Sequence, residues 1–95
     1  MDTVNVDGRD LTAIRLDTPE SVLLAIRAEH GLLACGYLSV DTADKLGDAL
    51  AVVTGVQSYE AMLEAGVKKV SNQARKLGVT IGMGGRDALR KMSRP

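Results

Sequence analysis

The chain has 95 residues, which is enough for one domain and too few for two, and its formal net charge at pH 7 is zero. It contains one cysteine, which excludes an intramolecular disulfide and a metal site built from several cysteines. Two tyrosines are its only aromatic residues, so the core must be aliphatic. A small core without large aromatic side chains buries less area per residue, which favours oligomerisation.

The apolar stretches of the sequence are short. The longest, residues 22–26 and 32–35, fall far below the length that crosses a membrane. The first residues contain no basic segment followed by an apolar run, so we expect no signal peptide. Because so small a chain lacks a disulfide framework, we expect a reducing compartment and a cytoplasmic location.

Charge is distributed unevenly along the chain. Residues 1–66 carry eleven acidic and four basic side chains, whereas residues 67–95 carry eight basic side chains and one acidic. Such polarity indicates either a nucleic-acid-binding face or complementary surfaces within an assembly. The basic third contains no aromatic residue for base stacking and matches no common nucleic-acid-binding module. We therefore favour complementary packing, and nucleic-acid binding is the third of our functional hypotheses.

The N-terminal part predicts an antiparallel β-meander. Residues 3–6 alternate polar and apolar, and Asp7-Gly8 is a strong signal for a two-residue hairpin turn. A return strand over residues 10–16 follows and ends before Pro19, which cannot donate to a strand ladder. Strands over residues 22–28 and 32–35 are apolar on both faces, so they need a second cover, either a helix layer or another subunit.

The rest of the sequence predicts short helices and two further strands. A helix capped by Asp41 or Thr42 and ending at Gly47 comes first, followed by a strand over 49–54. Two helices follow: one is capped by Ser58 and ends at Gly66, and the next ends at Gly78 and has on one face Val67, Val70, Ala74 and Leu77. A strand over 79–81 then leads to a last helix, whose apolar face consists of Ala88, Leu89 and Met92. We therefore predict a single α+β domain over residues 1–95. An N-terminal antiparallel β-meander is followed by a strand and short helices that pack on the sheet.

The candidate ligand-binding residues are Gly82, Gly84, Gly85 and Arg86, at a predicted strand-to-helix corner. Glycines let backbone N–H groups approach a ligand closely, and a helix N-terminus carries partial positive charge. The guanidinium of Arg86 adds a fork suited to carboxylate or phosphate. The segment lacks the spacing of a Walker A loop. The alternative needs no ligand: the glycines form a tight corner and Asp87 interacts with the helix dipole.

Cys35 is a candidate nucleophile, with His30 as its base. Their separation along a predicted strand places them roughly 15 Å apart within one chain, so contact requires another subunit. A thiol in an apolar run is also commonly an inert part of the core. We predict a structural role for Cys35 and name no catalytic residue.

Three segments, residues 31–38, 55–63 and 77–89, resemble in order and spacing the YunC-like family, small bacterial and archaeal proteins that share a domain of unknown function. The resemblance implies an N-terminal β region that mediates tetramer formation. It implies no activity, cofactor or catalytic residue. Ser39 stands where relatives are expected to carry an acidic residue, and His30 lies outside the family pattern, so neither supports chemistry at Cys35.

These observations predict a homo-oligomeric structural or small-ligand-binding module, tetrameric through its N-terminal strands, with an anion site at residues 82–86. The alternative is an enzyme acting on an anionic metabolite, with Cys35 brought near that corner across a subunit interface. We predict no cofactor, metal ligand or membrane partner.

Overall fold

The computed structural model describes residues 1–93, which form one six-stranded sheet with the strands in sequence order and four helices. The strands are β1 (Asp2–Val6), β2 (Arg9–Asp17), β3 (Val22–Arg27), β4 (Leu32–Ala34), β5 (Leu50–Val52) and β6 (Lys69–Val70). The helices are α1 (Val40–Leu46), α2 (Tyr59–Glu64), α3 (Asn72–Lys76) and α4 (Gly85–Ser93). The predicted α+β class is confirmed.

The first four strands form the predicted antiparallel meander. Asp7 and Gly8 connect β1 to β2 with φ values of 54° and 84°, the two positive angles that a type I′ turn requires. Val6 pairs with Arg9 across this turn, so the hairpin has the tight two-residue loop that the sequence indicates.

The chain then crosses over through α1, and β5 pairs in parallel with β4. Ser39 caps α1 by accepting a hydrogen bond from the Thr42 backbone N–H, so the predicted cap at Asp41 or Thr42 was wrong by a few residues. Gly47 ends the helix in the left-handed conformation, as expected. This β4–α1–β5 unit brings the carboxyl ends of two parallel strands to the same edge of the sheet.

Helices cover the two faces of the sheet unequally. Side chains from α2, α3 and α4 bury one face, which is hereafter the inner face. On the opposite, outer face, α1 packs over β4 and β5 through Ala43. The outer-facing residues of β2 are not covered: Ile14 and Leu16 expose 40% and 61% of their surfaces.

The helix predicted from Val67 to Leu77 was wrong, although its amphipathic spacing is the cleanest in the chain. Val70 lies instead in β6, paired with Ala51 of β5, and only Asn72–Lys76 is helical. Ser71, fully buried, separates the two: its Oγ accepts from the Leu50 and Ala74 N–H groups and donates to the Asp48 carbonyl. Pairing with β5 was favoured over a longer helix, although the apolar spacing is helical. The pairing satisfies backbone N–H and C=O groups at the edge of β5, which a helix at this position would have left without partners.

Smaller differences concern element ends. The predicted strand over 49–54 contracts to Leu50–Val52, and α2 ends with Ala65 rather than Gly66 as its cap. Residues 79–81 form no strand: Val79 is buried in the core, whereas Ile81 enters a turn and exposes 64% of its surface. The apolar face predicted for the last helix is confirmed, since Ala88, Leu89 and Met92 are fully buried.

Candidate functional site

The corner formed by residues 82–86 joins the segment after α3 to the start of α4. Gly82 has a φ of 93°, and the Met83 N–H donates to the Thr80 carbonyl at 3.2 Å. A positive φ at the third position of such a four-residue turn is the requirement that selects glycine. The turn by itself therefore explains why position 82 is a glycine, without a ligand.

Several backbone donors of this corner bind the protein rather than facing a ligand. The Gly82 N–H donates to the Val67 carbonyl at 2.8 Å, and the Gly85 N–H donates to the Ala65 carbonyl at 2.9 Å. Gly85 is also packed so tightly that a Cβ built on it would lie 2.0 Å from the Met62 carbonyl oxygen. Both glycines thus have a structural role without a ligand.

Fewer hydrogen-bond donors remain available to a ligand at this corner than the sequence predicts. The backbone N–H groups of Gly84 and Arg86 donate to no acceptor within residues 1–93. The Arg86 guanidinium lies 3.7 Å from the Glu64 carboxylate, and both side chains are substantially exposed. The structure therefore brings together two of the four predicted site residues, Gly84 and Arg86, at the first turn of α4.

Cys35 lies at the carboxyl end of β4 and exposes 5% of its surface. Its Sγ accepts a hydrogen bond from the Leu24 N–H at 3.3 Å. His30 precedes the other end of the same strand, where its N–H donates to the Met92 carbonyl, so the two side chains belong to opposite ends of β4. The enzyme hypothesis requires an accessible thiol, and this one is almost fully enclosed.

Cys35 also lines a cavity of about 360 Å³ between the loops that follow β4 and β5. The lining residues come from three segments of the chain: Ser21 and Val22; Cys35, Gly36 and Tyr37; and Thr54, Gly55, Val56 and Gln57. None of residues 82–86 contributes to it. The sequence interpretation missed the loop over residues 54–57, although a glycine directly after a β-branched strand marks a place where the chain must turn.

Opposite charges from the two halves of the sequence meet within the chain. Arg90 on α4 binds the Asp7 carboxylate of the β1–β2 turn through its Nε and Nη2, the latter at 3.2 Å. Its Nη1 also contacts Asp87 at 2.6 Å. The hydrogen bond from Arg90 lowers the pKa of Asp7 below its ordinary value and raises that of Arg90. Part of the charge polarity is therefore satisfied by contacts within one chain.

Four further basic side chains lie in or near β6 and α3. Lys68, Lys69, Arg75 and Lys76 are all exposed there. Among the described residues there is no group of three or more His, Cys, Asp and Glu side chains that could hold a metal ion. In that same part of the chain no helix is long and apolar enough to cross a membrane.

A family described as a domain of unknown function (DUF1805) matches residues 34–92. The chain belongs to this family. It is 30% identical over 93 residues to the uncharacterized protein YunC of Bacillus subtilis (strain 168), covering 94% of this chain and 92% of YunC. A crystal structure of a protein of unknown function, TA1206 from Thermoplasma acidophilum, superposes with a TM-score of 0.90 at 32% identity, covering 97% of this chain and 90% of that one.

The segment shared with the DUF1805 family begins at Ala34 and so includes Cys35, the cavity loops and the α4 corner. It leaves out β1, β2 and β3, the first three strands of the meander. YunC and TA1206 cover these strands as well. The resemblance to the YunC-like family found in the sequence is thus confirmed, and it carries no assigned activity.

Proposed function

We propose that this DUF1805 chain is a homo-oligomeric module, tetrameric through its N-terminal strands, that binds a small anion at the start of α4. The uncovered outer face of β2 carries the first part of this proposal. Leu16 and Ile14 expose 61% and 40% of their surfaces there. On β3 they pair with Leu23, which is half-buried, and Ala25, which is buried, so the exposed part of this apolar patch comes mainly from β2.

A second copy of the chain is the occupant that best fits this patch. The chain has no Phe or Trp to enlarge its core, so burying the patch would add apolar area that the monomer lacks, at about 25 cal/mol per Å². In a two-fold symmetric interface, the same patch on each of two subunits packs against its copy. The tetramer implied by the family resemblance needs such a surface on each subunit.

The assembly is tested by light scattering on the wild-type chain and on two aspartate variants. Leu16→Asp places a charge in the patch, and we expect it to lower the mass from that of a tetramer. Ile81→Asp is the matched control, because Ile81 is similarly exposed, at 64%, but lies in the turn before α4. A wild-type chain that is monomeric at micromolar concentration would contradict the proposal.

The anion site depends on the donors that the protein does not use itself. The N–H groups of Gly84 and Arg86 lie at the N-terminal end of a nine-residue helix, whose dipole favours negative charge. The Arg86 side chain contacts Glu64 only at 3.7 Å, so it is able to turn to a carboxylate or phosphate.

Thermal-shift measurements with inorganic phosphate and citrate test this site. We expect stabilisation of the wild-type chain that is lost in Arg86→Ala and retained in Arg75→Ala, a control at another exposed arginine. Stabilisation that survives Arg86→Ala, or none at all, would remove the site.

A further inference from the structure

The cavity beside Cys35 has a position that suits a ligand. It opens at the carboxyl ends of β4 and β5, the parallel pair in the sheet. In open sheets, ligands bind in the crevice outside the carboxyl ends of parallel strands, where the connecting loops diverge. Here the diverging loops begin at Cys35 and Thr54, and the cavity volume of about 360 Å³ is within the range of small-molecule sites.

Backbone donors around this cavity lack partners. Val56 exposes only 8% of its surface, yet its N–H donates to no acceptor in the described chain. The N–H of Gly36, on the facing loop, is likewise without an acceptor among residues 1–93. Unpaired N–H groups at buried residues are rare, so that of Val56 points to an acceptor atom supplied from outside the chain, and the N–H of Gly36, an exposed residue, is free to bind the same molecule.

Side-chain hydrogen bonds link the loops that carry these donors to other parts of the chain. Arg15 Nη1 donates to the Gln57 carbonyl at 3.3 Å, and the Tyr37 hydroxyl donates to Thr18 Oγ1 at 3.1 Å. Both contacts tie the loops to the β2 strand and the turn that follows it. The cavity mouth is therefore braced before any ligand arrives, which lowers the ordering cost of binding.

The chemistry of the walls selects against charge. None of the residues lining the cavity is an acid or a base with a formal charge at neutral pH. Arg15 is nearby, but it does not line the cavity and pairs with Asp17 at 3.2 Å. A charged ligand would lose hydration here without an opposite charge in return. The buried side chains of Val22 and Val56 instead suit an apolar body.

We propose that the cavity between the β4 and β5 loops binds a small uncharged molecule that presents a carbonyl oxygen to the Gly36 and Val56 N–H groups. The apolar body of that molecule lies against Val22 and the Cys35 thiol, which forms part of the wall and takes no chemical part. This site is separate from the anion site at α4 and does not depend on it.

A matched set of probes tests the proposal: cyclohexanecarboxamide, cyclohexanecarboxylate and cyclohexylmethanol share one ring and differ in the polar group. Binding is followed by NMR through the backbone amide signals of Gly36 and Val56. We expect the carboxamide to shift both signals, and the other two probes to bind at least about tenfold more weakly. Equal binding of the carboxylate would overturn the uncharged class, and no shift with the carboxamide would overturn the site.

A paired glycine substitution tests the location. A Cβ at Gly36 would lie 3.7 Å from Thr54 Cγ2, so Gly36→Val narrows the mouth without a backbone clash. Gly84→Val is the control: its Cβ meets nothing within 4 Å, and it lies at the anion corner. We expect carboxamide binding to weaken about tenfold in Gly36→Val and not in Gly84→Val, with unchanged melting temperatures. Loss in neither variant, or in both, would overturn the location.

Discussion

Two glycine-bearing segments, residues 32–36 and 81–86, pack against each other but use their backbones differently. A Cβ on Gly85 would lie 3.1 Å from the Leu33 side chain, so the contact is direct. In the second segment, the N–H groups of Gly82, Met83 and Gly85 donate to backbone carbonyls of this chain. In the first, the strand ends at a cavity and leaves the Gly36 N–H unpaired. A glycine therefore indicates a site only where its backbone donors remain unused.

The largest expected effect is on stability at Gly85. Because an added Cβ would meet the Met62 carbonyl oxygen at 2.0 Å, we expect Gly85→Ala to lower the free energy of unfolding by about 3 kcal/mol. In Gly36→Ala the added Cβ would contact only the Thr54 methyl, at 3.7 Å, so the free energy of unfolding should change by less than about 0.5 kcal/mol. Urea denaturation measures both. Equal losses would show that the two segments do not differ in packing.

A smaller loss is expected when the thiol is removed. Cys35→Ala leaves the Leu24 N–H without its acceptor and opens space in a site that is 5% exposed, so the free energy of unfolding should fall by about 1–2 kcal/mol. The control is Thr54→Ala at the exposed mouth of the cavity, for which we expect less than about 0.5 kcal/mol. Rapid reaction of native Cys35 with a thiol reagent would contradict this enclosed position.

A substitution at Gly82 should lower the stability of the protein only through the backbone conformation of the turn. Its φ of 93° is unfavourable for any residue with a Cβ, although the space around it is open. We expect Gly82→Ala to cost about 1 kcal/mol in urea denaturation. Gly84→Ala, also in open space but without a positive φ, should cost less than about 0.5 kcal/mol. If Gly84→Ala is the more damaging, the turn does not explain the need for Gly82.

The smallest effect concerns the exposed ion pair that holds the end of α4, in contrast to the glycine packing at its start. The Arg90 hydrogen bond lowers the pKa of Asp7, so its contribution to stability is present above the ordinary value of 3.8 and is lost as the pH falls through the lowered value. Asp7→Asn should therefore lower the melting temperature slightly at pH 7, and this difference should shrink as the pH falls below 3.8. A difference that persists at low pH would argue against this linkage.

Local chemistry in the sequence was sufficient to predict the parts of the fold that depend on a few neighbouring residues. Asp7-Gly8 specifies its hairpin because both residues tolerate the positive φ of the turn. The face of α4 around Leu89 follows from helical spacing, and it is fully buried as predicted. The family was likewise identifiable from segments of the chain read in order.

Tertiary structure decided the rest, because it determines which long-range partner each backbone group finds. Val70 joined β5 instead of a helix, and the crossover through α1 made β4 and β5 parallel. The carbonyls of Val67 and Ala65 took up the Gly82 and Gly85 N–H groups, whereas the N–H groups of Gly36 and Val56 have no acceptor among residues 1–93. The sequence shows where a glycine allows another group to approach the backbone closely. Only the folded chain shows whether another part of the protein already occupies that position.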